Sequence, residues 1–291
     1  MSHDFIDEVK RNLTSCLPTA SSIVGEVIKT LYDHSSSAQD LSRILERDPS
    51  LTMKILKAAN SAYYGSSTDI TSLQRAVVAL GFDTVKQIVT NMTVMHNFFQ
   101  ADNDSEIDRS GLWLHSVGTA KAAQLLSKNL GIGRQDVAYT TGLIHDIGKI
   151  LLALSFPLEY TAVVRMAREK KCRIILAERK ILNTDHCMIG KILADIWYLP
   201  EELSTAILYH HDPMAISKGN QALAVLANIG DQMSRKARIG NPGDGLVPKL
   251  SPAILATLGN SSAKTQQKYN DIYLKFIAER DEITGFFSGL N

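Results

Sequence analysis

The chain of 291 residues carries 31 Lys and Arg against 30 Asp and Glu, which gives a formal net charge of +1. This balance provides no basic footprint for nucleic acid, which we therefore do not expect as a partner. The 45% hydrophobic and 21% charged composition is typical of a soluble globular protein. A polar N-terminus, short apolar runs and only three cysteines with no CxxC pair predict a cytoplasmic protein with neither membrane span nor disulfide framework.

Helical patterns dominate the chain, because apolar residues recur at the i, i+3, i+4 spacing and strand patterns are scarce. Asp48-Pro49 predicts a helix start, since Asp can cap the first N–H groups and Pro suits the first turn. Gly131 predicts a helix end, and Pro200 predicts another start. The helix after Pro49 is predicted to present to a core Leu51, Ile55, Leu56 and Ala59. The pattern indicates an all-α fold.

Two breaks in composition divide the chain. Residues 100–106 are polar and acidic, and residues 238–245 contain three glycines and a proline. We therefore expect an N-terminal helical region at 10–100, a histidine-bearing middle region at 105–237 and a C-terminal helical extension at 246–291. Two helices are predicted in the extension, starting near Ser251 and Ser262. Its aromatic residues favour packing on the domain over packing on a second copy, and the oligomeric state stays open.

A set of histidines and acids in the middle region predicts a metal site. His145 and Asp146 are adjacent at the end of an apolar run; imidazole binds transition metals, and a carboxylate can bridge two of them. The apolar pattern predicts that His115 and His186 each open a helix, and that Asp231 lies late in the helix at 222–231. The remaining candidates, His210 and His211, close the helix begun at Pro200. Such positions can project into one shared, buried interior.

Taken singly, these residues have other readings. A lone histidine on an apolar helix face is usually a hydrogen-bonded core residue. Lys149, after a glycine, is typical of a solvated cation at a helix end. Asp231 could pair with Arg235, and His210-His211 could be a polar helix end. The joint occurrence of His-Asp and His-His pairs in one apolar region favours the metal site.

At these residues the sequence resembles the HD superfamily of metal-dependent phosphohydrolases, whose H…HD…D signature matches His115, His145-Asp146 and Asp231. The order of the further histidines resembles that of the HD-GYP branch of cyclic dinucleotide phosphodiesterases. The resemblance implies two divalent transition-metal ions, with iron or manganese favoured and zinc or nickel also suited. Asp146 would bridge the ions, and Lys149 would lie near a substrate phosphate. The implied metal ligands are His115, His145, Asp146, His186, His210, His211 and Asp231.

Two positions depart from that branch. The Gly-Tyr-Pro segment expected after His211 is missing, which disfavours hydrolysis of cyclic dinucleotides. Gly111 stands four residues before His115, where some family members carry a carboxylate for a third metal. A site for two metals is therefore the expectation.

The N-terminal region is similar to the HDOD family, the HD-related output domains of bacterial signalling proteins. The resemblance extends from about residue 10 to about residue 215 and includes Leu17-Pro-Thr, the segment 45–65 with its Asp-Pro and Ala-Asn-Ser motifs, and the Ala-Leu-Gly sequence that ends at Gly81. It implies a multi-helix HD-like domain preceded by an HDOD helical subdomain. Most HDOD domains have lost the metal ligands and act as interaction or regulatory modules, whereas this sequence retains a nearly complete set.

Two functions follow from these resemblances. The first is a regulatory module of signal transduction that carries a dinuclear metal site and engages a protein partner. The alternative is a metal-dependent phosphohydrolase, a phosphodiesterase or phosphomonoesterase, acting on a small phosphate-containing ligand through a metal-bridging hydroxide. In the alternative, Asp146 and Lys149 would serve in catalysis. The sequence leaves open whether any substrate is turned over.

Overall fold

The computed structural model describes residues 26–27, 29–30, 32–33, 35–45, 55, 58–59, 72–85, 87, 108–196, 199–217, 221–258 and 262–288. Within these ranges the chain is helical between short connections, and no strand occurs. The prediction of an all-α fold is therefore confirmed. The predicted helix start at Asp48-Pro49 and the polar break at 100–106 lie outside the described residues.

Two helices of the N-terminal region, α1 (Ala38–Leu45) and α2 (Leu73–Leu80), share a small apolar core. The start of α1 is capped reciprocally, since the Ser37 backbone N–H donates to Asp40 and the Asp40 N–H donates to the Ser37 hydroxyl. Ile55 and Ala59, two of the residues predicted to face a core, are buried in this cluster. Their predicted companions Leu51 and Leu56 lie outside the described residues.

The main body is built around a long helix that packs against two others. Its helices are α3 (Arg109–Leu130), α4 (Gln135–Ile144), α5 (Ile147–Ser155), α6 (Pro157–Lys170), α7 (Ile174–Ile181), α8 (His186–Ile196), α9 (Glu201–Tyr209) and α10 (Ala222–Lys236). Helix α3 contacts both α4 and α10, while α8 lies between α5 and α9. Buried apolar side chains from all of these helices form one continuous core.

Several helix ends differ from the sequence-based expectation. His115 does not open a helix, because Asp108 accepts from the Gly111 N–H and starts α3 well before it. Helix α10 continues past Asp231 to Lys236. Pro200 precedes the first residue of α9 instead of occupying it. The predicted end at Gly131 is confirmed, and its left-handed backbone (φ 67°) is one that glycine adopts without a steric penalty.

The C-terminal extension contains three helices where two were predicted: α11 (Pro252–Ala256), α12 (Ser262–Ala278) and α13 (Arg280–Ser288). The first two start where expected, and a single residue, Glu279, separates α12 from the additional α13. Tyr269 and Phe276 of α12 are buried in the main core, which confirms packing on the domain for these aromatic side chains.

None of the described helices is by itself long and apolar enough to cross a membrane. Residues 137–153 together with helix α6 meet that criterion only as a pair bent by 118°, on length and composition alone.

Two glycines allow α5 and α8 to approach closely. A Cβ added to Gly148 would overlap the carbonyl oxygen of His186. A Cβ on Gly190 would lie 3.3 Å from Cγ2 of Ile147 in α5 and 2.7 Å from Cγ2 of Ile207 in α9. This contact places the N-terminal end of α5, just after Asp146, against the first residue of α8. The helix crossing therefore determines the distance between these two predicted metal ligands.

We expect Gly148→Ala to lower the free energy of unfolding by about 2–3 kcal/mol, since the new methyl group meets rigid backbone. Gly190→Ala should cost less, about 1–2 kcal/mol, because its new methyl group meets side-chain methyl groups of Ile207 and Ile147, whereas the methyl group at position 148 overlaps backbone. Urea denaturation of both variants measures the difference. Equal destabilisation would contradict this account of the crossing.

The docked extension gives a second test. Phe276 is fully buried, so Phe276→Ala should lower the free energy of unfolding by about 3–5 kcal/mol. Leu274, two residues earlier on the same helix, is 66% exposed, and Leu274→Ala should change it by no more than about 0.5 kcal/mol. If denaturation shows the same small change for both variants, α12 does not contribute to the core.

Candidate metal centre

The His145-Asp146 pair lies in the short break between α4 and α5. Helix α4 ends at Ile144 and α5 begins at Ile147, so the pair occupies the only two positions between them. Both flanking helices are apolar and buried, which carries the pair into the interior: His145 is 0% exposed and Asp146 is 2% exposed. The position of the break thus converts an adjacent sequence pair into an interior polar site.

The Asp146 carboxylate is the centre of the site. Its Oδ2 lies 2.6 Å from Nζ of Lys149 and 3.2 Å from Nε2 of His145. Its Oδ1 lies 3.3 Å from Nε2 of His186 and 3.7 Å from Nε2 of His210. Burial raises the pKa of Asp146, but His145 and Lys149 outweigh it and hold the pKa well below its usual value. The carboxylate is therefore charged.

His115 and Asp231 form a second part of the site. His115 Nε2 of α3 lies 2.8 Å from Asp231 Oδ1 of α10, across 116 positions of sequence. Arg235 donates through Nε to the same oxygen and through Nη1 to Asp244 and the carbonyl of Leu246. Burial raises the pKa of Asp231, yet Arg235 and His115 keep it well below its usual value. The possible pairing of Asp231 with Arg235 is confirmed, alongside the contact with His115.

His186, His210 and His211 complete the cluster. The Nε2 atoms of His186 and His211 are 3.1 Å apart, and the rings of His210 and His211 have centroids 4.1 Å apart. Burial lowers the pKa of His210 and His211, and neighbouring imidazoles lower it further. Burial also lowers the pKa of His115. The lowered pKa values of His115, His210 and His211 favour the neutral form that metal coordination requires. Burial also lowers the pKa of His186, but Cys187 and Glu178 outweigh it and raise that pKa well above its usual value.

The residues present fit a metal centre. His115 Nδ1, His145 Nε2, His210 Nε2 and Asp146 Oδ1 are buried and have no hydrogen-bond partner among the described residues. Buried polar atoms are normally paired, so four such atoms in one cluster need an explanation. Two ligands each about 2.1 Å from one ion and at right angles to one another lie about 3 Å apart, close to several of the separations found here.

The donors fall into two close groups. One consists of His115, His145 and Asp146; the other consists of His186, Cys187, His210 and His211. Contacts of Asp146 with His186 and His210 join the two groups. Asp231, the seventh predicted ligand, is in neither group and contacts His115. That the seven predicted ligands bind metal, and that they bind two ions, stays a prediction.

Lys149 is 1% exposed, so its reading as a solvated cation at a helix end is wrong. Its ammonium donates to Asp146 Oδ2 and, at 3.2 Å, to the carbonyl oxygen of Pro242. A cavity of about 10 Å³ beside it is also lined by Tyr160 and Asn241. That volume accommodates about one water molecule.

Sequence reasoning missed three residues that support the cluster. Glu178 of α7 is completely buried and lies 2.6 Å from His186 Nδ1. Tyr160 donates to Glu178, and Asp244 accepts from Arg235 and from the N–H of Ile174. No spacing rule marks Glu178, because it lies among charged residues that are typical of an exposed helix face. Its only signal is a position eight residues before His186.

Comparisons with known proteins agree with this fold. A sequence model of the HDOD domain family matches residues 17–213. A crystal structure of an HDOD domain protein of unknown function from Geobacter sulfurreducens is 25% identical, with a TM-score of 0.73, and covers 96% of this chain and 98% of that chain. A proposed phosphohydrolase from Shewanella amazonensis SB2B is 21% identical, with a TM-score of 0.72 and 98% of both chains covered.

Two further relatives are longer than this chain. A proposed signal transduction protein from Marinobacter aquaeolei VT8 is 21% identical, with a TM-score of 0.74, and 96% of this chain covers 65% of that one. An uncharacterized protein from Treponema pallidum (strain Nichols) is 22% identical over 197 residues, which are 67% of this chain and 38% of that protein. The chain therefore spans well under half of this curated relative's length. Since the family match covers more than half of its residues, the chain belongs to the HDOD family.

Proposed function

We propose that the protein is a regulatory module of signal transduction whose helical core holds two divalent transition-metal ions in a centre of HD type. The observation that carries the proposal is the group of buried, unpartnered donor atoms around the charged Asp146. Mixed imidazole and carboxylate ligation suits iron or manganese, and zinc or nickel are also accommodated.

The closed geometry favours a regulatory role over catalysis. Six of the seven proposed ligands are at most 2% exposed, and only His211 is partly exposed. The cavity beside Lys149 is too small for a phosphate group. Ions bound here would link α3, the α4–α5 break and the three helices α8, α9 and α10 to one another. They would stabilise only the native state, because these elements come together only there. The partner on which such a module acts is a protein of a cytoplasmic signalling pathway, with no nucleic acid required.

The metal content of protein purified without a histidine tag tests this function. We expect about two equivalents of metal in the native protein and less than one in Asp146→Asn, because that variant removes the charge shared by both positions. Removal of metal by a chelator should lower the midpoint of thermal unfolding of the native protein. Elemental analysis and calorimetry measure the two effects.

Asp212→Asn is the matched control. Asp212 also follows a histidine directly, but it is exposed, so this variant should keep its full metal content. Less than one equivalent in the metal-supplemented native protein would overturn the proposal. Equal metal retention in the two variants would remove Asp146 from the centre.

A second candidate function, a metal-dependent phosphohydrolase, is favoured by Lys149. A buried ammonium 2.6 Å from Asp146 is suited to offset the negative charge of a phosphate brought to the centre. A bound metal pair would supply Lewis-acid polarisation of a phosphoryl oxygen. The structural relative from Shewanella amazonensis is described as a proposed phosphohydrolase. This function needs a movement that opens the cavity beside Lys149.

Hydrolysis assays decide between the two candidates. With protein loaded with Mn²⁺ or Fe²⁺, we expect phosphomonoesters, nucleotides and cyclic dinucleotides to be turned over no faster than by Asp146→Asn, because the cavity that the described residues form beside Lys149, about 10 Å³, is smaller than a phosphate group. Turnover that is lost in Lys149→Met, while the metal content stays at the native level, would establish the hydrolase instead.

A further inference from the structure

The histidines of the centre differ in the group that accepts a hydrogen bond from ring atom Nδ1. His145 donates through Nδ1 to the carbonyl oxygen of Gly142, and His210 donates through Nδ1 to that of Ile207, each at 2.7 Å. His186 instead directs Nδ1 to a carboxylate, Oε2 of Glu178, at 2.6 Å. A charged acceptor makes the opposite ring nitrogen a stronger electron donor than a neutral carbonyl does. His186 is thus chemically distinct from the other two.

The carboxylate of Glu178 is held in place from several sides. Its Oε2 also accepts from the backbone N–H of His186 at 3.0 Å, and its Oε1 accepts from the hydroxyl of Tyr160 at 2.9 Å. Glu178 and His186 are both fully buried, and Tyr160 is 1% exposed. The contact between acid and imidazole is therefore shielded from water and has one defined geometry.

We propose that Glu178 is a positioning residue that selectively strengthens one of the two metal positions, the one served by His186 and His211. By accepting a hydrogen bond from Nδ1–H, Glu178 leaves Nε2 of His186 as the ring atom available to an ion. Nε2 lies 3.3 Å from Oδ1 of Asp146 and 3.1 Å from Nε2 of His211. The position served by His115 and His145 has no contact with Glu178 in the described structure. The inference rests on the proposed function and adds that the two ions depend differently on Glu178 for their affinity.

Glu178 also has a structural role at the start of α8, because it accepts from the His186 N–H. Asp185 supports the same helix end without a hydrogen bond to the ring. Asp185 accepts from the N–H of Met188 and from Arg179, directly before His186 on the same helix end. No hydrogen bond joins its carboxylate to the His186 ring among the described contacts. Asp185 therefore offers a neighbouring acid for comparison, with a capping role and no role behind the imidazole.

The experiment compares Glu178→Gln with Asp185→Asn by titrating metal-free protein with Mn²⁺ and, separately, Co²⁺. Gln keeps the shape and an acceptor oxygen but removes the charge. We expect one ion to bind Glu178→Gln about 10–100-fold more weakly and the other to stay within about threefold of the native affinity. The visible absorption of Co²⁺ at the weakened position should also change. Asp185→Asn should keep both affinities within about threefold.

Native affinities for both ions in Glu178→Gln would overturn this inference while leaving the metal centre intact. Equal weakening of both ions would overturn the selectivity. A native protein that binds neither Mn²⁺ nor Co²⁺ would overturn the proposed function itself, so the two failures are distinguishable.

A measurement on the native protein covers the case in which Glu178→Gln does not fold. In Zn²⁺-loaded protein labelled with ¹⁵N-histidine, His186 should be coordinated through Nε2 and protonated at Nδ1, as long-range ¹H–¹⁵N correlation spectra report. Coordination of His186 through Nδ1 would overturn the proposal.

Discussion

The buried charge of Asp146 is the constraint around which the site is organised. An ionised carboxylate in a protein interior costs several kcal/mol unless charges and donors surround it. Here Nζ of Lys149 donates to the carboxylate at 2.6 Å, and imidazoles from three directions contribute polar contacts. Four atoms of the cluster still have no hydrogen-bond partner within the part of the chain that the structure describes. A divalent cation would supply the missing partner of these metal-ligand atoms. The proposed metal content would therefore explain why so many polar groups lie in the interior.

Close helix packing makes this arrangement possible. The absence of a side chain at Gly148 lets α5 contact the backbone at the start of α8, which brings His186 within 3.3 Å of Asp146. A bulkier residue there would separate the two helices and with them the two ligands. The same small residue therefore serves the packing of the core and the geometry of the centre.

A network of ionic contacts links the centre to the loop that follows α10. Arg235 contacts Asp231 and Asp244, and Lys149 donates to the carbonyl of Pro242. Both cations thus connect acids of the cluster to the loop at 238–246. Because ions would bind only when these elements are assembled, occupancy of the centre and order of the surrounding helices are thermodynamically coupled. Such coupling is what a regulatory module requires and needs no turnover.

The sequence alone predicted the helical fold class and the set of polar residues that meet in the centre, because helical periodicity and ligand chemistry are properties of local sequence. It predicted helix ends less well: α3 begins before His115 and α10 continues past Asp231, since capping by Asp108 and tertiary packing override pattern. It did not reveal that Lys149 is buried or that Glu178 stands behind His186. Only the tertiary structure decided these contacts. Lys149 meets the carbonyl of Pro242, 93 positions later, and Glu178 reaches His186 through the turn between α7 and α8. The pattern of apolar and polar residues carries no record of either arrangement, because both depend on how the assembled elements pack.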